Sequence, residues 1–332
     1  MKYGDAAGMI EINPNAPAVP YEFLDTTGNT TLQNLANKGI DFAFNVNEDF
    51  GDFNIGIGGN ISAYVNEVIA LDEFETPIFG DNRRVPALNI TQVGSPISSF
   101  YGFQVEGIFQ SQAEADAWAP YGTTGYNAPG KFRYVDVNGD GNIDDDDRTI
   151  IGNPHPDFVY GINLNLKYQN FNVNIFGNGV QGNDVYNYVR YFADFNTFQG
   201  NRSVRALRDA WQPANPSAPK AQWTAANPNA TSPIPDANDQ ISSRTSTYLI
   251  EDASYFRIRN IQLTYAFNDA INRTLGISGG QIYFQAQNPF TFTNYSGTNP
   301  EIQTTNDIQL GYDGGFMPVS KTLTVGLNLS LF

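Results

Sequence analysis

The sequence predicts an all-β protein whose antiparallel strands form a transmembrane β-barrel with long loops. Three observations predict this fold class: a composition rich in aromatic residues and poor in charge, long stretches that alternate apolar with small polar residues, and long segments without alternation. Only 16% of the 332 residues are charged, whereas the chain has 24 Phe and 18 Tyr. Soluble domains have roughly 25% charged residues, so the charged fraction of this chain is low. Helical bundles are rich in Ala, Glu, Lys and Leu, so the composition also disfavours a helical bundle.

Charge and cysteine content exclude several functional classes. The net charge of −16 argues against nucleic acid as a partner, because phosphates are bound by Lys and Arg. The chain has no cysteine, so disulfides, thiolate metal sites and cysteine nucleophiles are absent. No apolar run is long enough for a membrane-spanning helix, whereas barrel strands alternate and leave only a weak hydropathy signal.

The alternating segments predict the strands in order. The first hairpin pairs residues 40–47 with residues 53–65 across a turn at 48–52, and the further predicted strands are 159–168, 171–177, 255–267, 281–287 and 323–331. One face of each is apolar, and the other carries Asn, Ser, Thr and Gly where a soluble sheet would normally place charges. This pattern suits a strand between lipid and a watery lumen. A large soluble β-sandwich remains the alternative interpretation of the alternation.

Long segments without alternation separate these strands, at residues 66–99, 110–157 and 183–250. Structureless segments of this length are uncommon in compact soluble domains but normal on the outer side of an outer-membrane barrel. Two short helices are expected within them. One runs from the capping box of Ser111 and Glu114 to Trp118. The other spans residues 203–211 and places Val204, Leu207 and Trp211 on one face.

A calcium-type loop over residues 136–147 is the most specific chemical motif. Its spacing matches that of an EF-hand loop, with Gly141 at the sharp turn and Asp147 where a bidentate Glu usually stands. Calcium takes six to eight oxygen ligands, which a carboxylate-rich turn supplies. A solvated acidic turn is the alternative. The expected ligands of one structural Ca²⁺ are Asp136, Asn138, Asp140, Asn142, Asp144 and Asp147.

No catalytic constellation stands out. His155 is the only histidine and lies between Pro154 and Pro156, where a turn residue is expected rather than a member of a catalytic triad. The pair Asp144 and Asp147 could imitate the carboxylates of a glycosidase, but the calcium motif explains both better. We therefore expect no catalytic residues, no organic cofactor and no enzymatic activity.

Several blocks resemble SusC/RagA-type TonB-dependent outer-membrane transporters, the glycan and peptide importers of Bacteroidetes. The most specific block is residues 91–110, which read Thr-Gln-Val-Gly-Ser-Pro-Ile-Ser-Ser-Phe-Tyr-Gly-Phe-Gln-Val-Glu-Gly-Ile-Phe-Gln. Further blocks agree in the same order, at residues 37–41, 136–152, 156–158, 254–267 and 288–301 and in the terminal strand that ends at Phe332. Phe332 departs from the family pattern, because it is out of phase with Leu331, Leu329 and Leu327.

The resemblance implies an arrangement for the whole chain. Residues 1–332 are expected to form the C-terminal part of the barrel, supplying eight to ten strands, with the plug domain and the N-terminal strands absent from this chain. The implied function is import of oligosaccharides or peptides across the outer membrane. The implied partners are a SusD-like surface lipoprotein, outer-membrane lipid and, through the plug, the TonB–ExbB–ExbD system. A secreted, calcium-stabilised β-sandwich that binds glycans or adheres to surfaces is the alternative, and a hydrolase comes third.

Overall fold

The computed structural model describes residues 10–12, 34–72, 74–82, 84–123, 125–195, 200, 202–302 and 306–331. Within them, strands β1–β9 are Ile10–Ile12, Asn34–Phe50, Phe53–Ala70, Ile78–Asn82, Val85–Thr91, Ser99–Gly102, Val105–Ile108, Phe132–Tyr134 and Thr149–Gly152. Strands β10–β17 are Phe158–Tyr168, Phe171–Gln181, Asp184–Asn187, Ile250–Asp252, Tyr255–Ala266, Gly279–Thr293, Tyr312–Asp313 and Thr322–Ser330. Helices α1–α4 are Gln112–Asp116, Tyr188–Asp194, Val204–Asp209 and Asp269–Leu275, and 3₁₀ turns lie at Asp145–Asp147, Lys220–Gln222 and Thr247–Leu249.

One large antiparallel sheet dominates the described part of the chain. Its eight strands follow the order β1-β2-β3-β10-β11-β14-β15-β17, and every neighbouring pair is antiparallel. The sheet is open, with β1 at one edge and β17 at the other. The all-β fold class and the estimate of eight to ten strands are therefore confirmed. The predicted strand of residues 53–65 continues to Ala70, and Phe332 lies outside the described residues.

Short and long connections lie at opposite ends of the sheet. Strands β2 and β3 join through residues 51–52, β10 and β11 through residues 169–170, and β14 and β15 through helix α4. Gly51 and Gln169 adopt positive φ angles of 68° and 49° in these tight turns. All connections at the other end are long. This asymmetry is typical of outer-membrane barrels, where short turns face the periplasm and long loops face outward.

The outer face of the sheet carries a continuous apolar surface. One row of paired residues across it comprises Val46, Ile57, Leu164, Ile175, Ile261, Ala286 and Leu323. Many large apolar side chains on this face are exposed, including Leu323 at 71%. A β-sandwich would bury such a face under a second sheet, which makes the sandwich alternative inconsistent with the structure. An apolar face of this kind fits contact with lipid.

The inner face is polar, and the row in its middle carries no charge. The row next to the apolar one comprises Asn47, Gly56, Asn165, Asn174, Gln262, Gln285 and Thr324. A Cβ atom added to Gly56 would lie only 2.6 Å from Oδ1 of Asn47. Glycine at this position therefore makes room for the amide side chains around it.

The long segments predicted between the strands are present, and they form packed structure with small sheets and short helices. We call residues 71–157, 182–254 and 294–321, where the structure describes them, the cap. The cap contains the small sheets β4-β5-β6-β9, β7-β8 and β13-β12-β16. Its hydrophobic core includes the fully buried Phe100, Phe103, Tyr134, Tyr186 and Trp211. They are five of the 45 aromatic residues in the chain.

Both helices predicted in the long segments are present, but the second packs differently from the prediction. Ser111 caps α1 and accepts a hydrogen bond from the Glu114 backbone N–H, and the helix ends at Asp116 rather than Trp118. Ser203 caps α3, which ends at Asp209. The predicted apolar face of α3 was wrong, because Val204 and Leu207 are 76% and 62% exposed. Trp211 lies beyond the helix and is fully buried.

Among the described residues, no helix is both long enough and apolar enough to cross a membrane.

Candidate functional site

The acidic loop of residues 136–147 lies in the cap between β8 and β9. Asp136, at its start, accepts hydrogen bonds from the backbone N–H groups of Gly139 and Gly141, at 2.7 and 2.8 Å. Gly139 and Gly141 have positive φ angles of 76° and 87°, which a side chain would strain. The glycine that the calcium motif requires at Gly141 therefore has a conformational reason in this fold.

The polar side chains in the middle of the loop hold successive tight turns. Asn138 Oδ1 accepts from the N–H of Asp140, and Asp140 Oδ1 accepts from the N–H of Asn142, both at 2.9 Å. Asp144 Oδ1 accepts from the N–H of Asp146, also at 2.9 Å. Each bond spans two residues, which is the Asx-turn pattern. The sequence spacing therefore specifies the path of the backbone.

Asp147 closes the loop. Its side chain is fully buried, and Oδ1 accepts from the N–H of Val137 at 2.7 Å and from that of Asn138 at 3.3 Å. Its Oδ2 accepts from the N–H of Asp144 at 2.9 Å. One carboxylate thus joins the two ends of the loop through three backbone donors. Buried carboxylates need such partners, because an unpaired buried charge is costly.

The structure brings all six predicted calcium ligands onto one compact loop. Within the described residues, however, no three His, Asp or Glu side chains are grouped as a metal site. The carboxylates instead face the backbone of the loop. A carboxylate has about four lone-pair positions on its two oxygens, so an oxygen that accepts an N–H can still bind a cation. The donor set of the loop is therefore compatible with Ca²⁺.

The acidic loop is fixed to the rest of the cap. Ile143 is fully buried, and its N–H donates to the carbonyl of Pro120 at 2.8 Å. Asp145 forms an ion pair with Arg244 at 2.6 Å, across 99 residues of sequence. This ion pair connects the loop to the segment around Arg244.

His155 has a structural environment. Its Nε2 lies 3.0 Å from the carbonyl oxygen of Ile97, and its ring packs edge-on against Tyr64. Burial lowers the pKa of His155, and the hydrogen bond to Ile97 partly opposes that effect. These contacts agree with the expected turn residue.

An ion network that the sequence did not reveal joins the sheet to the cap. Arg257 is 2% exposed and donates to Glu301 at 2.6 Å and to Asn299 at 2.8 Å. Arg259 donates to the other oxygen of Glu301 at 2.7 Å. A β-bulge between Ile258 and Asn260 allows both arginines to reach the inner face. Two arginines in an otherwise uncharged strand could have indicated this network from the sequence, because buried charges need partners.

The fold and these sites together define a class of protein. An open antiparallel sheet with an apolar outer face, a polar inner face, short turns at one end and a packed cap at the other is a segment of a large outer-membrane β-barrel.

Comparison with known proteins supports this class. No protein-family model matches the chain. The chain is 30% identical to TonB-dependent receptor P3 of Formosa agariphila over 306 residues, which cover 89% of this chain and 28% of that receptor. It is 27% identical to TonB-dependent receptor SusC of Bacteroides thetaiotaomicron over 310 residues, which cover 90% of this chain and 26% of SusC.

The fold comparison agrees. The structure of the RagAB peptide transporter contains a chain that matches with a TM-score of 0.67 at 20% identity, over 90% of this chain and 30% of that one. The resemblance to SusC/RagA-type TonB-dependent transporters, predicted from the sequence, is therefore confirmed. TonB-dependent receptors of this type are outer-membrane proteins, so the predicted location is confirmed as well. The chain spans less than a third of the length of these relatives.

Proposed function

We propose that residues 1–332 form the C-terminal part of the barrel of a TonB-dependent transporter that imports oligosaccharides or peptides across the outer membrane. The observation that carries this proposal is the sheet itself, whose apolar outer rows run in register across its long strands. The relatives are receptors and transporters, one of them a peptide transporter. In this proposal the chain makes and breaks no covalent bond.

The proposed partners follow from the two ends of the barrel. A SusD-like lipoprotein would sit on the outer side, where the cap presents its folded surface. The TonB–ExbB–ExbD system would act from the periplasmic side through a plug domain elsewhere in the receptor. Outer-membrane lipid would surround the apolar rows.

Uptake in cells tests the proposed function. A strain that lacks the receptor is expected to lose growth on one oligosaccharide or peptide source, and the intact receptor gene should restore it. A receptor without the hairpin Phe158–Gln181 should not restore growth, because the deletion breaks the hydrogen-bonded order of the sheet. If the strain that lacks the receptor grows as well as wild type on every oligosaccharide and peptide source, the proposal is contradicted.

We also propose that the acidic loop binds one structural Ca²⁺ through Asp136, Asn138, Asp140, Asn142, Asp144 and Asp147. The spacing of these residues and the inward direction of the Asp136 and Asp147 carboxylates support the site. A cation would also offset the repulsion among closely spaced carboxylates on a chain of net charge −16. The role is structural, since a second copy of the loop and flanking helices suited to a calcium sensor are absent from the described residues.

Calcium titration by calorimetry on the purified receptor tests this site. Asp147 is shorter than the usual Glu, so the affinity is expected to be that of an extracellular module, with Kd on the order of 10⁻⁴ to 10⁻³ M. The substitution Asp140→Ala should abolish most of the heat of binding. Asp146→Ala is the matched control and should leave it unchanged, because Asp146 is exposed and is not an expected ligand. Equal heats from wild type and Asp140→Ala would refute the site, as would no binding at millimolar calcium.

A further inference from the structure

A cavity of about 240 Å³ opens in the cap beside strand β5, helix α2 and residues 240–245. Arg84, Arg148 and Arg244 line it together with apolar, hydroxyl and amide side chains. No acidic side chain belongs to this lining among the described residues. A chain with 34 acidic and 18 basic residues thus concentrates three arginines around one small space. We call this space the arginine cavity.

Arg148 contributes a charge that no carboxylate neutralises by direct contact. Its Nη2 donates to the carbonyl oxygens of Ala87 and Tyr101, at 2.7 and 3.4 Å, and the guanidinium lies 4.5 Å from the Tyr101 ring centre. No described residue forms an ion pair with Arg148. Burial lowers the pKa of its guanidinium, but an arginine stays protonated in proteins.

Arg244 is held in place from outside the cavity. Its Nη1 donates to the Tyr121 hydroxyl at 2.5 Å, and its Nη2 donates to Asp145 at 2.6 Å. The Asp145 side chain is 70% exposed and does not line the cavity. The guanidinium also lies 5.0 Å from the ring centre of Phe103, which forms an apolar wall of the cavity.

Both guanidinium groups keep donors for a ligand. Arginine has five N–H donors, and each of these two arginines makes two hydrogen bonds within the described structure. The guanidinium nitrogens of Arg148 and Arg244 that make no hydrogen bond are not buried. Their N–H groups are therefore accessible to a ligand. The hydroxyl-bearing Ser243 and Thr245 line the same space and can add hydrogen bonds.

We propose that the arginine cavity is a binding site for a carboxylate group of the transported molecule. Three arginines that line one small space suit a carboxylate, which accepts paired N–H bonds from the planar guanidinium group of arginine. The volume holds one charged residue rather than a whole oligomer. The carboxylate belongs either to a uronic acid unit of an oligosaccharide or to the end of a peptide. This inference rests on the proposed function, because it names the substrate class that the cap selects.

Calorimetry on the purified receptor tests the arginine cavity with four probes. These are trigalacturonate, the neutral maltotriose, trialanine, and trialanine with an amidated C-terminus. We expect at least one of the two carboxylate probes to bind, while maltotriose and the amide bind at least tenfold more weakly. Binding of trigalacturonate alone would identify an acidic oligosaccharide as the source of the carboxylate. Binding of trialanine alone would identify a peptide, and binding of both would show that the site recognises the carboxylate itself.

Charge-removing variants connect the binding to the arginine cavity. Arg84→Gln and Arg244→Gln should each weaken carboxylate binding by about tenfold or more, the usual effect of losing a charged hydrogen bond. The thermal midpoint is measured for each variant, because the Arg84 guanidinium lies 5.9 Å from the Phe192 ring centre and Arg244 pairs with Asp145. The matched control is Arg208→Gln, whose side chain is 73% exposed and pairs with its neighbour Asp209 away from this cavity.

Two outcomes would overturn the inference. One is failure of both carboxylate probes to bind, and the other is binding that Arg84→Gln and Arg244→Gln leave unchanged. Either outcome would refute only the carboxylate site in the cavity. The proposed import function is tested separately, by growth of the strain that lacks the receptor. Loss of import in cells together with no carboxylate binding would keep the proposed function and remove the substrate class.

Discussion

Replacement of Leu164 by arginine is expected to destabilise the receptor in lipid by about 2–4 kcal/mol, the cost of a basic residue at mid-bilayer on the lipid face of a barrel. Leu164 lies in the middle of β10 and in the apolar row that crosses the outer face. The cost arises because the charge has no partner in hydrocarbon. Urea unfolding of the receptor in lipid vesicles measures it.

The neighbouring residue supplies the control. Asn165 is exposed on the inner face, two residues from Lys167, which already carries a charge on that face. Asn165→Arg should therefore cost less than about 1 kcal/mol, since a watery lumen tolerates charge. If the two substitutions have equal effects, or if Asn165→Arg costs more, the faces of the sheet are assigned incorrectly.

Replacement of Glu301 by alanine is expected to destabilise the junction of sheet and cap by about 3 kcal/mol, the lower end of the range for breaking a buried ion pair. Glu301 pairs with Arg257 and Arg259, and the Arg257 side chain is only 3% exposed. Without Glu301 the buried Arg257 charge is left with neutral partners. Faster proteolysis of residues 294–302, together with a lower thermal midpoint, measures the effect.

Acid dependence gives a second measurement of the same network. Burial alone would raise the pKa of Glu301, but the hydrogen bonds and charges of Arg259 and Arg257 outweigh it and hold the pKa below its ordinary value. A carboxyl with a lowered pKa stabilises the fold above its unfolded pKa, and this stabilisation is lost as the pH falls through the folded pKa. Wild type should therefore lose stability below pH ~4.3, the ordinary Glu pKa. Glu301→Ala should lack this part of the acid response.

An exposed ion pair provides the comparison. Glu106 pairs with Arg133 at 3.5 Å, and the Glu106 side chain is 49% exposed. Glu106→Ala should cost less than about 1 kcal/mol, as usual for surface pairs. A Glu301→Ala effect no larger than that of Glu106→Ala would show that the network does not hold the cap to the sheet.

The strands of the large sheet could be predicted because each carries its own signal. Alternation along residues 159–168 and 171–177 defines two faces without any knowledge of partners, and the short turn between them fixes their register. Capping side chains are equally local, which is why Ser111 and Ser203 marked the two cap helices correctly.

The cap could not be predicted because its structure depends on distant partners. The N–H of Phe103 donates to the carbonyl of Thr245, and the N–H of Thr247 donates to the carbonyl of Phe103. More than a hundred residues separate the two sides, and no local pattern marks the pairing. The error at Val204 and Leu207 has the same origin, since helical spacing shows a face but not what covers it.

The acidic loop and the arginine cavity show the same difference between local signals, which the sequence reveals, and contacts between distant residues, which it does not. The spacing from Asp136 to Asp147 could be read directly, and the turns it implied are present. Nothing in this spacing indicated that Asp147 would be fully buried, or that Asp145 would contact Arg244. Arg84, Arg148 and Arg244 are far apart in sequence and meet only through the folding of the cap.

The most direct test of a lipid-facing barrel wall is a cysteine scan of residues 162–167 in β10, with a nitroxide spin label at each position. The chain has no native cysteine, so each label reports on one site of it. Collision rates with oxygen dissolved in lipid should be high at 162, 164 and 166, and rates with a water-soluble nickel chelate should be high at 163, 165 and 167. Absence of this alternation, or water access at all six positions, would contradict a membrane-spanning sheet.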